Sequence, residues 1–313
     1  MSESQEQTHL LRQVRDALQD NNYPLAIQSL EAIIALARDR GDVGAAGRHL
    51  GNLALTYYRM GKPEKALDYF GQALDCARQD QDRFTEDGLL GNMGNILREV
   101  GRYDDALVYL NEALAIAEEI GDTRGRGIWL SNLGLVYDDL RQPASAIVFH
   151  QQAVEVARQL HDLPNLAARL GNLGNSYGAQ GDYSTALLPF SEAVRLYEQL
   201  NRPQELALRL GIMGNLYALL GRQQKDPATA QRYLQQALEA YEKAAHLAKE
   251  LGDFASQAEL LRSIAGVLIT GGQANEAGLY LSVAGQLFQA LGMIEKAAEV
   301  TAIQYKIAKR KND

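Results

Sequence analysis

Cysteine occurs once, tryptophan once and proline seven times in 313 residues. A lone thiol, Cys76, excludes a disulfide framework within the chain and fits a reducing cytoplasm. So few prolines leave long stretches free to be helical, and an abundance of Ala, Leu, Gln and Glu favours helix almost throughout. Positive charge is in the minority: 31 Lys and Arg against 39 Asp and Glu give a net charge of -8 and a pI near 5.3. That balance argues against nucleic acid and anionic membranes as partners. No run approaches the roughly 18 uninterrupted apolar residues of a membrane span. The polar N-terminus "MSESQEQTHLLRQVRDALQD" lacks the basic-then-apolar order of a signal peptide. The expected setting is the cytoplasm, in solution, and a hydrophobic content of 46% supports a packed core rather than disorder.

Catalytic motifs are lacking as well. HExxH, GxSxG, CxxC and GxxxxGK[ST] do not occur, and "YRMGKPE" around Lys62 has neither the preceding glycine nor the Ser/Thr of a phosphate loop. "GDTRGRGIW", with Gly121, Gly125 and Gly127, has the glycines of a dinucleotide loop but no strand before it. The histidines His9, His49, His150, His161 and His246 fall in different phases of the pattern described below, so no metal site is expected. His150 takes a slot filled elsewhere by Phe70, Leu110 and Phe190, as a packing residue with one ring nitrogen satisfied. Cys76, one turn after Ala73, reads as a structural thiol. Trp129, beside Leu130, suits either a partner anchor or packing between neighbouring elements. Adjacent acids such as Asp138 and Asp139, or Glu118 and Glu119, read as solvated surface. Neither an enzyme nor a cofactor is expected.

What the sequence does have is a ruler. Gly51, Gly91, Ser131, Gly171 and Gly211 fall 40 residues apart. Asn52, Asn92, Asn132 and Asn172 follow them, with Ile212 breaking the series. Ala54, Gly94, Gly134, Gly174 and Gly214 keep the same spacing, as do Tyr57, Leu97, Tyr137, Tyr177 and Tyr217. Turn residues Gly61, Gly101, Arg141, Gly181 and Gly221 come next, then Ala66, Ala106, Ala146 and Ala186, then Ala73, Ala113, Ala153 and Ala193. Leu130, Leu133, Gly134 and Tyr137 form one helical stripe, and Ala146, His150, Ala153 and Ala157 a second. A left-handed glycine ends the first helix, and "GD" or "HD" ends the second. Each unit is therefore a helical hairpin whose small residues, Gly174 against Ala186 for example, let the two helices approach closely. Hairpins of this kind bury one side only, so they must stack; the expected fold is all-α, a right-handed superhelical solenoid of antiparallel helix pairs.

The run Asn172, Leu173, Gly174, Tyr177, Gly181, Ala186 and Ala193 resembles the tetratricopeptide repeat in a longer, 40-residue form. The phrases "GNLGN" and "AIAEEIGD" are similar to those of the Pins-type G-protein-regulator and kinesin-light-chain branch. On this ruler the expected repeats are 8–41, 43–81, 83–121, 123–161, 163–201, 203–252 and 254–292, in one array closed by a polar capping helix over 293–313. Beyond Gly221 the phase slips by eleven residues, near 222–232: Ala237, Tyr241, Ala244 and Ala248 carry the second-helix pattern late. Eleven residues are about three helical turns, so the slip keeps the helix facing the same way. Asp226 before Pro227 is a helix start, and 227–250 reads as one long, projecting helix. A period of 80 lies inside the period of 40: Asn95 and Asn175 alternate with Leu55 and Leu135.

The resemblance implies a groove lined by the first helices that holds a peptide or helix of a partner protein. The expected groove residues are Arg48, Asn52, Asn92, Asn95, Asn132, Asn172, Asn175 and Asn215. Amides suit an extended backbone, since each offers two donors and an acceptor without charge. Arg48 matches an arginine that tends to meet acidic ligand residues in the Pins-type branch, but Gly88, Ile128, Ala168 and Leu208 replace it in the other repeats. Two roles stay open for the regular asparagines: gripping a ligand, or bonding the next repeat and setting the pitch. Alternation with leucine favours ligand contact for Asn95 and Asn175. Three functions follow: a non-catalytic adaptor, a bacterial peptide-sensing regulator acting on a phosphorylated partner, or a scaffold that self-associates through its ends or the 227–250 helix. The regulators carry an extra N-terminal helical or DNA-binding domain, whereas here the first repeat begins almost at once.

Overall fold

A computed structural model describes residues 3–312, with side chains from 6 to 309. Its helices are α1 (Glu3–Gln19), α2 (Tyr23–Asp39), α3 (Val43–Arg59), α4 (Pro63–Gln79), α5 (Arg83–Glu99), α6 (Tyr103–Ile120), α7 (Thr123–Asp139), α8 (Pro143–Gln159), α9 (Leu163–Gln180), α10 (Tyr183–Gln199), α11 (Pro203–Gln223), α12 (Pro227–Glu250), α13 (Phe254–Thr270), α14 (Ala274–Ala290) and α15 (Ile294–Asn312). Among the described residues there is no strand. Consecutive helices pack as hairpins, so the all-α solenoid class stands. By packing, the chain divides into two units, Met1–Val156 and Ala157–Asp313.

The turns explain the uniform helix length. At most of them a residue with positive φ stops one helix, such as Gly41, Gly61, Gly101, Gly121 and Gly181, but also Gln81, Arg141, His161 and Asn201; Gly221, expected as a turn residue, instead lies buried inside α11, which runs on to Gln223 and ends without a positive φ. The amide after a positive-φ residue reaches back five residues, as in Asp42 N–H to Ala37 O at 2.9 Å and Lys62 N–H to Tyr57 O at 3.0 Å, which satisfies carbonyls the helix end leaves open. The Asp of "GD" and "HD" has a further role. Asp42, Asp82, Asp122 and Asp162 each accept the backbone N–H three residues on, from Ala45, Thr85, Gly125 and Asn165. These aspartates thus cap the following helix rather than end the preceding one.

In the first unit the core runs through Leu50, Leu53, Phe70, Leu90, Leu97, Leu110 and Leu133, with Ala66, Ala73, Ala106 and Ala113 fully buried at the crossings. In the second unit Ala186, Ala193, Ala237, Ala244, Ala277 and Ala284 are all at 0% exposure. The alanine ruler thus survives the phase slip. Pro227–Glu250 is a single helix of 24 residues, capped by Asp226 at Thr229 with Pro227 in its first turn.

The crossing glycines work differently from the expected glycine-against-alanine contact. A Cβ on Gly174 would lie 2.6 Å from the Phe190 ring, one on Gly94 2.6 Å from Leu110, one on Gly134 2.5 Å from His150 and one on Gly214 2.6 Å from Tyr241. Each glycine is a hole for a large side chain four residues past the crossing alanine, so Phe190, not Ala186, occupies the space opposite Gly174. The second glycine series makes holes between hairpins. A Cβ on Gly91 would lie 2.2 Å from Trp129, one on Gly171 2.5 Å from Arg209, and one on Gly211 3.3 Å from Leu260.

Candidate functional site

First helices bury one face and leave the other open. In α9, Leu170, Gly171, Leu173 and Gly174 are buried while Ala168 and Asn175 are exposed. Positions spaced by four and three share this open stripe, and each of the eight expected site residues falls at such a position of its own first helix. In the first unit Arg48 and Asn52 are exposed, while Asn92, Asn95 and Asn132 are half-buried. Asn132 Nδ2 is buried without a hydrogen-bond partner. The positive charge of Arg48 adds to the effect of two Thr85 hydrogen bonds in holding the Asp82 carboxyl below its ordinary range. In the second unit Asn172 is half-buried, and Asn175 and Asn215 are exposed. Asn215 is anchored: its Oδ1 accepts from the Tyr241 hydroxyl at 2.6 Å. Burial pushes Tyr241 up to about 12, so this hydroxyl remains a donor through the neutral range.

Asn215 also borders a groove of about 690 Å³ between α11, α13 and the start of α15. Leu208, Ile212, Leu260 and Met293 supply its apolar wall. Glu259 sits beside it, paired with Lys296 and held by Arg262 through Nε at 3.0 Å and an N–H of the terminal nitrogen at 2.7 Å. Sequence reasoning passed over this groove, although two of its walls, Leu208 and Ile212, are departures from the ruler. The other two apolar wall residues, Leu260 and Met293, come from outside α11, and the ruler alone does not bring them together.

The remaining candidates resolve into structure. His150 is fully buried, its Nε2 2.9 Å from an Asp138 oxygen and its Nδ1 unpaired. Trp129 packs between hairpins and donates Nε1–H to Asp87 at 2.6 Å. Asp87 is 2% exposed; burial and the nearby Asp122 carboxylate raise it to about 6, against the lowering effect of the indole. Of the adjacent acids, Asp138, Asp139 and Glu119 are partnered rather than merely solvated, while Glu118 is exposed as expected. Asp138 meets His150, Asp139 meets Arg98 at 3.3 Å, and Glu119 meets Arg83. These partners come from neighbouring helices, out of reach of a local reading. Cys76 is half-buried and burial raises its thiol, which keeps it protonated and poorly nucleophilic. Among the described residues no three His, Cys, Asp or Glu converge as a metal site. No helix among them is long and apolar enough to cross a membrane.

The tetratricopeptide-repeat family profile matches residues 8–79, 86–159 and 142–199. The chain belongs to the tetratricopeptide repeat family, whose repeats are generally non-catalytic protein-interaction modules. Solved structures share the fold. BtubC (BKLC) from P. vanneervenii is similar with a TM-score of 0.62 at 22% identity, over 78% of this chain and 92% of that one. Aspartyl phosphate phosphatase F from Bacillus subtilis gives 0.62 at 17% identity, over 91% and 70%. A Rap protein complexed with competence and sporulation factor gives 0.53 at 16%, over 98% of each chain. A comparison with the curated proteins finds no match.

Proposed function

We propose that this protein is a non-catalytic adaptor that holds a peptide segment of a partner protein against the open faces of its first helices. The observation that carries this reading is that each unit has uncharged amides on the open faces of its first helices, Asn52, Asn92 and Asn95 in one and Asn172 and Asn175 in the other, away from the residues that build the core. Backbone carbonyls and amides of an extended peptide match such groups without a charge on either side. Arg48 lies at the edge of the same stripe, where an acidic ligand residue would meet it.

The test is capture of partners from native lysate by the wild-type protein, Asn95→Ala and Asn175→Ala, compared by quantitative mass spectrometry. Proteins retained by wild type and depleted by either variant support the reading, provided both variants melt within about 2 °C of wild type. Equal capture by all three, or a collapse in melting temperature, removes the amides from recognition. A second reading, a peptide-sensing regulator that acts on a phosphorylated partner, is favoured by the likeness to a Rap protein complexed with a peptide factor. Release of phosphate from phosphorylated response regulators on adding the protein is its direct assay.

A further inference from the structure

We infer that the groove of the second unit takes an extended, uncharged stretch of the partner peptide, seating one large aliphatic or methionine side chain among Leu208, Ile212, Leu260 and Met293. This inference rests on the peptide-binding reading and narrows it.

The groove departs from the ruler in one direction. Where α9 has Ala168 and Asn172 on its open face, α11 has Leu208 and Ile212. Leu208 stands 58% exposed, so in α11 two neighbouring aliphatic side chains replace the methyl group and amide that α9 carries at the same offsets. Gly211 lies between them, with only Leu260 close to the place a Cβ would occupy. The result is an open recess of about 690 Å³ with one apolar wall, within the size range of ligand-binding clefts.

Charge complementarity sets the class of occupant. The charged lining residues are Asp253, Glu259 and Lys296. Asp253 caps α13 by accepting from Ser256 N–H at 3.0 Å. Glu259 is bracketed by Lys296 and Arg262, and Arg262 continues to Glu299 at 3.8 Å. Two cations and two carboxylates form a neutral chain, so an anionic ligand residue would have to break a pair to find a counter-ion, while Asp253, at the exposed rim, already spends one oxygen on the α13 cap. A neutral one loses nothing. At the other side of the groove Tyr241 fixes the Asn215 amide by its oxygen, which commits the Nδ2 donors to the open side. A peptide carbonyl is the complementary acceptor, and an aliphatic side chain next to it covers Leu208 and Ile212, whose burial supplies the driving force.

The test uses random heptapeptides displayed on phage and panned on the full-length protein, followed by titration of the selected peptides, labelled with a fluorophore. The variant L208A/I212N gives α11 the pair that α9 already carries, so its fold is expected to persist, checked by helical circular dichroism and melting. Selected peptides are expected to share one Leu, Ile or Met flanked by uncharged residues. Replacing that residue by Asp, or using L208A/I212N, weakens binding at least about tenfold, as loss of a central anchor does. Winners rich in Asp and Glu or in Lys and Arg, affinity indifferent to L208A/I212N, or no enrichment at all overturns the inference. Peptides that weaken with Asn95→Ala or Asn175→Ala but not with L208A/I212N leave the adaptor reading intact and remove this groove from it. Peptides indifferent to every variant remove both.

Discussion

Asp87→Asn should stabilise the protein at neutral pH and have little effect below about pH 4. The Asp87 carboxyl is 2% exposed, and its Oδ1 accepts the Trp129 indole N–H at 2.6 Å. Its other oxygen faces the N-terminus of α7, where a Cβ on Gly125 would lie 2.9 Å from Asp87 Oδ2 and 2.5 Å from Asp122 Oδ2. Asp122 is already the cap of that helix, so two carboxylates share one corner. Neighbouring Glu86 spends its charge on Arg78 and Arg83 and does not relieve them. Asparagine keeps the acceptor for Trp129 and replaces Oδ2 by a donor that faces Asp122. A buried carboxylate costs desolvation, whereas a buried amide with both ends partnered does not carry a charge to desolvate.

The sign follows from the raised value. Asp87 titrates near 6 in the folded protein against 3.8 unfolded, so the native state holds its proton more tightly. Stability is fully present below about pH 4, falls as pH rises from 4 to 6, and stays low above. Two pKa units at about 1.4 kcal/mol each give a ceiling of roughly 3 kcal/mol at pH 7; relaxation of the site reduces this to about 2 kcal/mol. For a cooperative unit of this size that is a rise in Tm of about 4–8 °C. Thermal melts of wild type and Asp87→Asn at pH 3.5, 5 and 7.5 read it directly. The two should nearly coincide at pH 3.5 and separate progressively. Coincidence at pH 7.5, or an equal gap at every pH, would refute the view that the carboxylate is a buried charge under strain.

Two further predictions concern packing and capping. Gly174→Ala should lower stability by about 1–2 kcal/mol despite the better helix propensity of alanine, because its Cβ would overlap a Phe190 ring that is 1% exposed; Gly178→Ala, whose nearest neighbour is Leu216 at 3.9 Å, should gain about 0.5–1 kcal/mol. Urea melts of the pair check both, and a stabilising Gly174→Ala would contradict the hole-and-ring packing. Asp82→Ala should cost about 1 kcal/mol by removing the α5 cap. Because hydrogen bonds from Thr85 hold the Asp82 carboxyl low, that loss should be full at pH 7 and vanish in acid below its ordinary value of 3.8, as chemical denaturation across pH would show.

Much of the architecture is legible in the sequence because close crossings admit few residue types. Ala186 and Ala193 are at 0% exposure, and any larger side chain there would force the helices apart. Residues 227–250 are legible for the same reason, since Ala237 and Ala244 keep their facing across the slip. What fills the glycine holes is not. Phe190, His150, Leu110 and Tyr241 are chemically unlike, and the hole accepts any side chain of the right bulk. Asp139 illustrates another limit: its partner Arg98 is 41 positions away, and only stacking brings the two together. The groove beside Asn215 had a signal in Ile212, the break in the asparagine series, but its meaning depends on Leu260 and Met293 arriving from other helices.

The first helices keep their packing residues and their outward residues in separate sets, and this separation makes a recognition surface free to vary. In α9 the buried set is Leu170, Gly171, Leu173 and Gly174, and the open set includes Ala168, Asn172 and Asn175. Replacing Ala168 and Asn172 by their α11 counterparts, Leu208 and Ile212, changes the chemistry of the face without touching a hole or a crossing. The holes constrain the other set more tightly, and polar residues placed there need partners. Trp129 fills the Gly91 hole and requires Asp87 as acceptor, at the cost worked out above. Arg209 fills the Gly171 hole with its Nε unpaired and its guanidinium 6.0 Å from the Phe190 ring centre, where the ring face offsets part of the lost hydration. Asn215 crosses the division: exposed on the open face, yet tied to the buried Tyr241 that occupies the Gly214 hole. A ligand that engages this amide therefore acts on a residue already coupled to the packing of α11 against α12, whereas one that engages Asn95 or Asn175 meets a side chain free to reorient.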